Sequence, residues 1–326
     1  MIVIGLSGPG MQWADRIDRR LKLRDLRILM AVVQCGTMRK AADTLSVSQP
    51  VVSKAIADLE YSLGVPLLDR SPQGVEPTLY GQALLKRGVA IFDELRQSVK
   101  EIEFLADPTT GELHVGCSET VTAGLVSAVI DRLSRQHPQL LFHMELADLT
   151  TLQRHFLRER KCELVIGRMV GATPEPDMNA EFLFHEQSFV VAMPPNRWIR
   201  RRKLALATLA DEPWILSPSE IVAGAPAFEA FKAVGLELPR VRVLSNSLSL
   251  RNNLLASGRF LTIIPGSVLR FGPKNSLIKV LDVELPRLPR PIVITTLKNR
   301  TLSPVAKLFI DCVREVAKPL AGLRPK

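Results

Sequence analysis

From Leu23 onward, apolar side chains recur at Leu23, Leu26, Met30 and Val33, the spacing of one helix face. Cys35-Gly36 ends that run, because glycine takes the left-handed conformation that closes a helix. Thr37 offers a hydroxyl to cap a second helix over 38–45, where Ala41 and Ala42 are small enough to admit another helix backbone. Ser46-Val47-Ser48 makes a turn, with Ser48 placed to cap a third helix over 49–63. That helix buries Val52, Ile56, Leu59 and Leu63 and carries Pro50 in its first turn, where a missing N–H costs nothing. Two extended runs, 65–70 and 75–77, flank Ser71-Pro72-Gln73-Gly74 and predict a β-wing, after which Thr78 caps a long helix.

Residues 79–105 contain no proline, and Leu84, Gly88, Ile91, Leu95, Ser98 and Ile102 recur at spacings of four and three. This heptad-like seam, weakened at Gly88 and Ser98, pairs with a second copy or packs on its own chain. Asp107-Pro108-Thr109-Thr110-Gly111 breaks the helix and marks a boundary. Beyond it the pattern alternates between strands (113–117, 141–146, 163–167) and helices (120–136, 150–158). A second set follows: strands 214–217, 241–244 and 260–264, with helices 227–234 and 247–256. A strand at 291–297 and a helix at 304–317 return to the first set. The rhythm predicts mostly parallel sheets with helices on both faces, in two α/β lobes joined by crossings near 189–193 and 286–291.

The expected fold class is therefore multidomain. A mainly α, winged helix-turn-helix spans 21–80, a linker and dimerisation helix 81–107, and an α/β domain 112–320. Lobe I takes 112–188 and 289–320, and lobe II 189–288. The 326 residues include 43 Lys and Arg against 33 Asp and Glu, a net charge of +10. The charge does not decide for a polyanion partner, since residues 16–80 hold only ten Lys and Arg against seven Asp and Glu. Position matters more. The outward face at the start of the third helix presents Gln49, Val51, Ser53 and Lys54. Glutamine can bond adenine bidentately, and lysine reaches guanine acceptors or phosphates. Arg70, on the wing, is a candidate for a phosphate or the minor groove. The competing reading is a helix-turn-helix that contacts only protein.

The run Ala41-Ala42-x-x-Leu45-x-Val47-Ser48-Gln49-Pro50-x-Val52-Ser53-Lys54-x-Ile56-x-x-Leu59-Glu60-x-x-Leu63-Gly64-x-x-Leu67-Leu68-x-Arg70 resembles the winged helix-turn-helix of LysR-type transcriptional regulators. Thr78-x-x-Gly81 matches the opening of their linker helix, and the two lobes resemble their periplasmic-binding-protein-like effector domain. The resemblance implies a regulator, not an enzyme, that binds double-stranded promoter DNA. It places Gln49, Pro50, Ser53 and Lys54 at the major groove and Arg70 and Thr78 at the DNA backbone, with Ser48 among the DNA-binding residues. Lys54 stands where the family often has arginine, keeping the charge but losing the planar fork. It further implies self-association as a dimer or tetramer through the linker helix and the effector domain, RNA polymerase as a further partner, and a cytoplasmic location.

In open parallel sheets ligands bind beyond the carboxyl ends of the strands. Those ends carry Ser118-Glu119-Thr120, Arg168, Ser217 and Ser219, Asn246 and Ser247, and 264–267. They predict effector contacts from Ser118, Thr120, Arg168, Ser217, Ser219, Asn246 and Ser247 to a small anionic or polyhydroxylated effector. Equally, Ser, Thr and Asn at such places cap helices. Glu119 opposes an anion unless it turns away. The basic run 197–203 reads as solvated loop.

No GxSxG, HExxH or strand-following GxGxxG occurs, and no catalytic or metal residue is assigned; His114 and His143 read as structural. No cofactor is expected besides the effector. Cys35, Cys117, Cys162 and Cys312 form no CxxC pair and read as reduced thiols, with a redox role for Cys117 or Cys162 left open. Residues 1–10 fit neither a signal peptide nor a membrane span and read as a tail or a mis-assigned start. A solute-binding protein without a DNA role, the alternative, needs an export signal and leaves 49–54 unexplained.

Overall fold

The computed structural model describes residues 21–320, apart from 73, 170–173, 224, 274–275 and 286–290. The expectations for residues 1–10, for Gln73 in the wing turn and for most of the second crossing lie outside the described residues. The chain forms two compact units, one ending at Arg96 and the other beginning at Gln97. The division falls inside the long helix, not at the breaker cluster after it.

In the first unit, α1 (Leu23–Cys35), α2 (Met38–Thr44) and α3 (Gln49–Leu63) precede the antiparallel wing β1 (Leu68–Ser71) and β2 (Gly74–Pro77), and α4 runs from Leu79 to Ala106. Gly36 closes α1 at φ 72°, and Thr37 caps α2 by accepting the N–H of Lys40. Leu26, Leu29, Val32, Ala41, Val52, Ile56, Leu59 and Leu67 close one core, the smallness of Ala41 letting α2 sit against its neighbours. Glu60 ties the wing to α3: its carboxylate accepts the N–H groups of Leu67 (2.8 Å) and Leu68 (3.3 Å). Thr78 donates its hydroxyl to Pro66 O (2.7 Å) and accepts Gly81 N–H (3.1 Å), capping α4. Gly81 is required by the close approach that follows, since a Cβ there would lie 2.1 Å from Leu67 O.

The seam along α4 divides. Leu84 packs into the first unit's core, and Gly88 lies against Leu26. Ile91, Leu95, Val99, Ile102 and Leu105 remain exposed, from 39% at Ile91 to 75% at Leu105. Packing on the same chain thus accounts for the first half of the stripe only.

The second unit holds two five-stranded sheets. Lobe I has the order β4-β3-β5-β12-β6, from β3 (Thr110–Cys117), β4 (Gln139–Leu146), β5 (Leu164–Arg168), β6 (Met178–His185) and β12 (Pro291–Leu297). Lobe II has β11-β7-β10-β8-β9, from β7 (Ser188–Ala192), β8 (Trp214–Leu216), β9 (Val241–Leu244), β10 (Leu261–Pro265) and β11 (Lys279–Val280). In each sheet one strand runs against the other four: β12 in lobe I and β7 in lobe II. These are the strands with which the chain enters each lobe from the other. The expected crossing at 189–193 is therefore itself a strand, and β6 is an element the sequence pattern did not predict.

Helices cover both faces, as the pattern predicts. In lobe I, α5 (119–136) and α10 (Pro304–Ala317) cover one face around Val115, Ile166, Phe184, Ile294 and Phe309. On the other face α6 (149–157) lies over Val165 and Met178. Both α5 and α6 contain a π-turn, Thr122–Val126 and Gln153–Leu157. Lobe II buries Trp214, Phe231 and Ile263 beneath α7 (Pro226–Ala233), with Trp214 edge-on to Phe231 and its indole N–H on Leu209 O. Its other described α-helices are α8 (Leu248–Leu255) and α9 (Gly266–Phe271).

Candidate functional site

The start of α3 presents Ser48, Gln49, Pro50 and Lys54 exposed and Ser53 half-exposed, above the buried Val52, Ala55 and Ile56. Positions 49 and 53, and 50 and 54, are four apart, so the polar groups share one face. Ser48 occupies the cap position, yet its hydroxyl makes no capping bond; the expected cap is absent and the hydroxyl is available. Thr78 behaves in the opposite way. Its single hydroxyl proton is committed to Pro66, so it is a helix cap with nothing to donate to a phosphate. Arg70 is half-exposed on β1, its guanidinium 3.8 Å from the Glu60 carboxylate. Glu60 thus fixes the wing and orients Arg70, a role the sequence reading did not assign. Arg39 and Lys40, exposed at the start of α2, are further cations that it passed over.

In the second unit the strand ends of the two lobes converge. Glu119, just past β3, accepts the N–H of Leu248 at 2.7 Å, in the first turn of α8 on the other lobe. This answers the concern raised by its charge, because the carboxylate is engaged by a helix N-terminus. Glu186, in the crossing between β6 and β7, accepts Ser267 N–H (3.2 Å) and Ser267 O–H (2.5 Å) at the start of α9. Burial pushes its carboxyl up, against the lowering effect of Ser267 and Arg168. Where α9 passes α5, a Cβ on Gly124 would lie 2.9 Å from Ser267 Oγ. Glu220, past β8, accepts Ser217 N–H at 2.6 Å and pairs with the buried Arg251 at 3.1 Å. Arg251 also donates to Ser245 O, closing its own site.

Arg168 ends β5, beside the β3 terminus because Cys117 pairs with Ile166. Its guanidinium hydrogen-bonds to none of the described residues, and its Nε is fully buried. Burial lowers its pKa, opposed by Glu220 and Glu186. Each of the three cleft carboxylates has its own donors, whereas this cation finds no hydrogen-bond acceptor among the described residues.

The seven predicted effector residues separate accordingly. Ser247 caps α8 by accepting Leu250 N–H, and Ser217 forms a capping box with Glu220. For these two the capping role prevails. Ser118 sits at a cap position without a capping bond, 3.4 Å from the Thr120 hydroxyl. Ser219 and Asn246 are exposed, Ser219 within 2.9 Å of Ser217 Oγ. A cavity of about 210 Å³ lies elsewhere on lobe I, between α6 and the β12–β6 end of the sheet. Arg158 on its wall is neutralised by Asp177 and Glu175. Cys117 and Cys162 are fully buried, and burial pushes their thiols up to about 11 and about 12. They are inert packing groups in this state. The basic run 201–203 is exposed, and Arg197 before it pairs with Glu212.

Comparison with known proteins follows the same division. The family described as "Bacterial regulatory helix-turn-helix protein, lysR family" matches residues 23–82, and "LysR substrate binding domain" matches 106–318. The HTH-type transcriptional regulator GbpR of Azospirillum brasilense is 28% identical over 305 residues, covering 91% of this chain and 87% of its own. Among solved structures, full-length OxyR from Pseudomonas aeruginosa aligns with a TM-score of 0.59 at 22% identity, over 91% of this chain and 95% of that one. Full-length CbnR complexed with its target DNA aligns with a TM-score of 0.52 at 23% identity, over 91% and 100%.

Proposed function

The chain belongs to the LysR family of transcriptional regulators, and from that premise we propose that its winged domain reads promoter DNA with the start of α3, under control of a small anion held at Arg168. It is a regulator with a helix-turn-helix domain and an effector-binding domain, not an enzyme. Gln49 and Ser53 face base edges, Lys54 a guanine or phosphate, and Arg70, steadied by Glu60, the DNA backbone. The uncapped Ser48 hydroxyl is a further phosphate contact.

One observation carries the effector assignment: a half-buried arginine whose Nε is buried without a hydrogen-bond partner among the described residues, beside carboxylates that all have theirs. Desolvating a cation without pairing it costs several kcal/mol in order of magnitude, and a carboxylate would supply a bidentate partner. Ser118, Thr120, Ser219 and Asn246 are the groups left to complete the site. Binding there shifts the population between two arrangements of the lobes, and through them of the assembly. A second copy covers the exposed half of the α4 stripe, giving the dimer that reads two half-sites. RNA polymerase is the further partner, and the protein acts in the cytoplasm; no described helix is long and apolar enough to cross a membrane.

The test is a thermal-shift screen of small mono- and dicarboxylates on the wild-type chain and on Arg168→Ala. A compound that raises the melting temperature of the wild type and not of the variant supports the site. Hits that stabilise both proteins equally place the effector elsewhere.

A further inference from the structure

We propose that Glu112, His114 and His143 form a binding site for a divalent transition-metal ion of the zinc, cobalt or nickel class on lobe I. The parallel register of β3 and β4 pairs His114 directly with His143, and Glu112 lies two residues before His114 on the same face. The two imidazoles stack at 4.1 Å with 7° between their planes, and His143 Nε2 lies 3.3 Å from a Glu112 carboxylate oxygen. One ligand atom from each residue falls within 4.8 Å of the other two.

Zinc bonds of ~2.0–2.2 Å to imidazole and carboxylate put neighbouring donors about 3.3–3.5 Å apart. The His143–Glu112 pair already meets that spacing, and small side-chain rotations bring in His114. Two imidazoles and one carboxylate suit borderline cations and not calcium or magnesium, which take oxygen ligands. Both rings are half-buried and Glu112 is exposed, so an ion has an entry path and room for water at its remaining positions. Glu145, two residues beyond His143 on the same strand face, is a further carboxylate close enough to act on His114.

The charges around the site favour an ion. The Glu112 carboxylate beside the imidazoles, with Glu145 further along β4, brings negative charge to the site. The nearby cation, Lys100, is neutralised by Glu163 at 2.9 Å. A shared metal would bridge the two stacked imidazoles. The bound ion would join the edge strand β4 to β3 through side chains as well as through the ladder.

The experiment uses the full-length, chelator-treated protein, titrated with Co²⁺ by visible absorption and then with Zn²⁺ by calorimetry. Saturable one-to-one binding is expected, weakened at least about ten-fold in His143→Gln and in Glu112→Gln. It is expected to be unchanged in His155→Gln, which removes the single-imidazole pair between His155 on α6 and Glu159 just beyond it. No saturable binding by the wild type, or equal affinity in His143→Gln and Glu112→Gln, overturns the proposal. Should His143→Gln fail to fold by circular dichroism, Glu112→Gln decides alone, because that side chain is exposed.

Discussion

The Glu119 carboxylate accepts the backbone N–H of Leu248 across the two lobes, at 2.7 Å. A carboxylate at a helix N-terminus satisfies a free N–H and interacts favourably with the dipole. Glu119→Ala should therefore lower the stability of the effector domain by about 1–2 kcal/mol. Glu119→Gln, which keeps an acceptor without the charge, should lose less than about 1 kcal/mol. Urea denaturation of the full chain measures both, and equal loss in the two variants would show that the acceptor is not what matters.

Two caps that look alike in the sequence should part company. Thr37 accepts Lys40 N–H, whereas Ser48 makes no capping bond. Thr37→Ala should cost ~1 kcal/mol, and Ser48→Ala should stay within about 0.5 kcal/mol of wild type. Ser48→Ala should instead weaken binding to a duplex selected from genomic fragments, read by fluorescence anisotropy. Lys54→Ala should weaken that binding across sequences and reduce the salt slope by about 1.

Gly81→Ala places a methyl 2.1 Å from Leu67 O, where backbone has to move. A loss of roughly 2–4 kcal/mol is expected. Gly64→Ala, with open space around its Cβ but φ at 70°, should lose only about 1 kcal/mol. Thermal melts of the pair test whether crowding or backbone conformation dominates.

Glu186 has its folded-state pKa raised above the ordinary 4.5 by burial. Between 4.5 and that higher value the folded protein holds more protons than the unfolded one, so stability falls as pH rises through this window. Glu186→Gln should flatten that fall and be neutral or stabilising at pH 7. A stability–pH curve unchanged by the substitution would remove the carboxylate as its source.

Leu95, 43% exposed on α4, lies within the uncovered stripe. Leu95→Glu should shift the assembly toward monomer in analytical ultracentrifugation while leaving the helical circular dichroism intact. An unchanged sedimentation coefficient would exclude this face as the dimer contact.

The helix-turn-helix was legible because its signals are local: Gly36 at a left-handed cap, Thr37 at an N-cap, and the period of Val52, Ile56 and Leu59. Most strands and helices of the lobes followed from alternation; β6, whose half-buried face blurs the period, and β7, β11 and α9 did not. What stayed hidden depends on residues far apart in sequence. Arg251 reads as a surface residue of an amphipathic helix, yet it is 2% exposed and bound to Glu220, thirty-one positions away. Glu60 is one letter of a motif until the wing folds back to its carboxylate. Sequence pattern places the effector candidates at strand ends, but whether a serine caps or contacts depends on its rotamer, which pattern does not contain. The seam on α4 predicted an apolar stripe without saying that its first half belongs to Leu26 and its neighbours.

The position of β12 has a consequence for the order of synthesis. Among the described residues, strand β6 pairs in its sheet with β12 alone, and β12 lies between β5 and β6. A ribosome that has made Met178–His185 must translate all of lobe II before Pro291–Leu297 emerges. The strands of the second lobe are therefore complete while the first still carries an open edge at β5 and an unpaired β6. Such an edge is a template for pairing with another chain. Yield in cells should be most sensitive to substitutions that slow or weaken the docking of β12, the last strand to arrive.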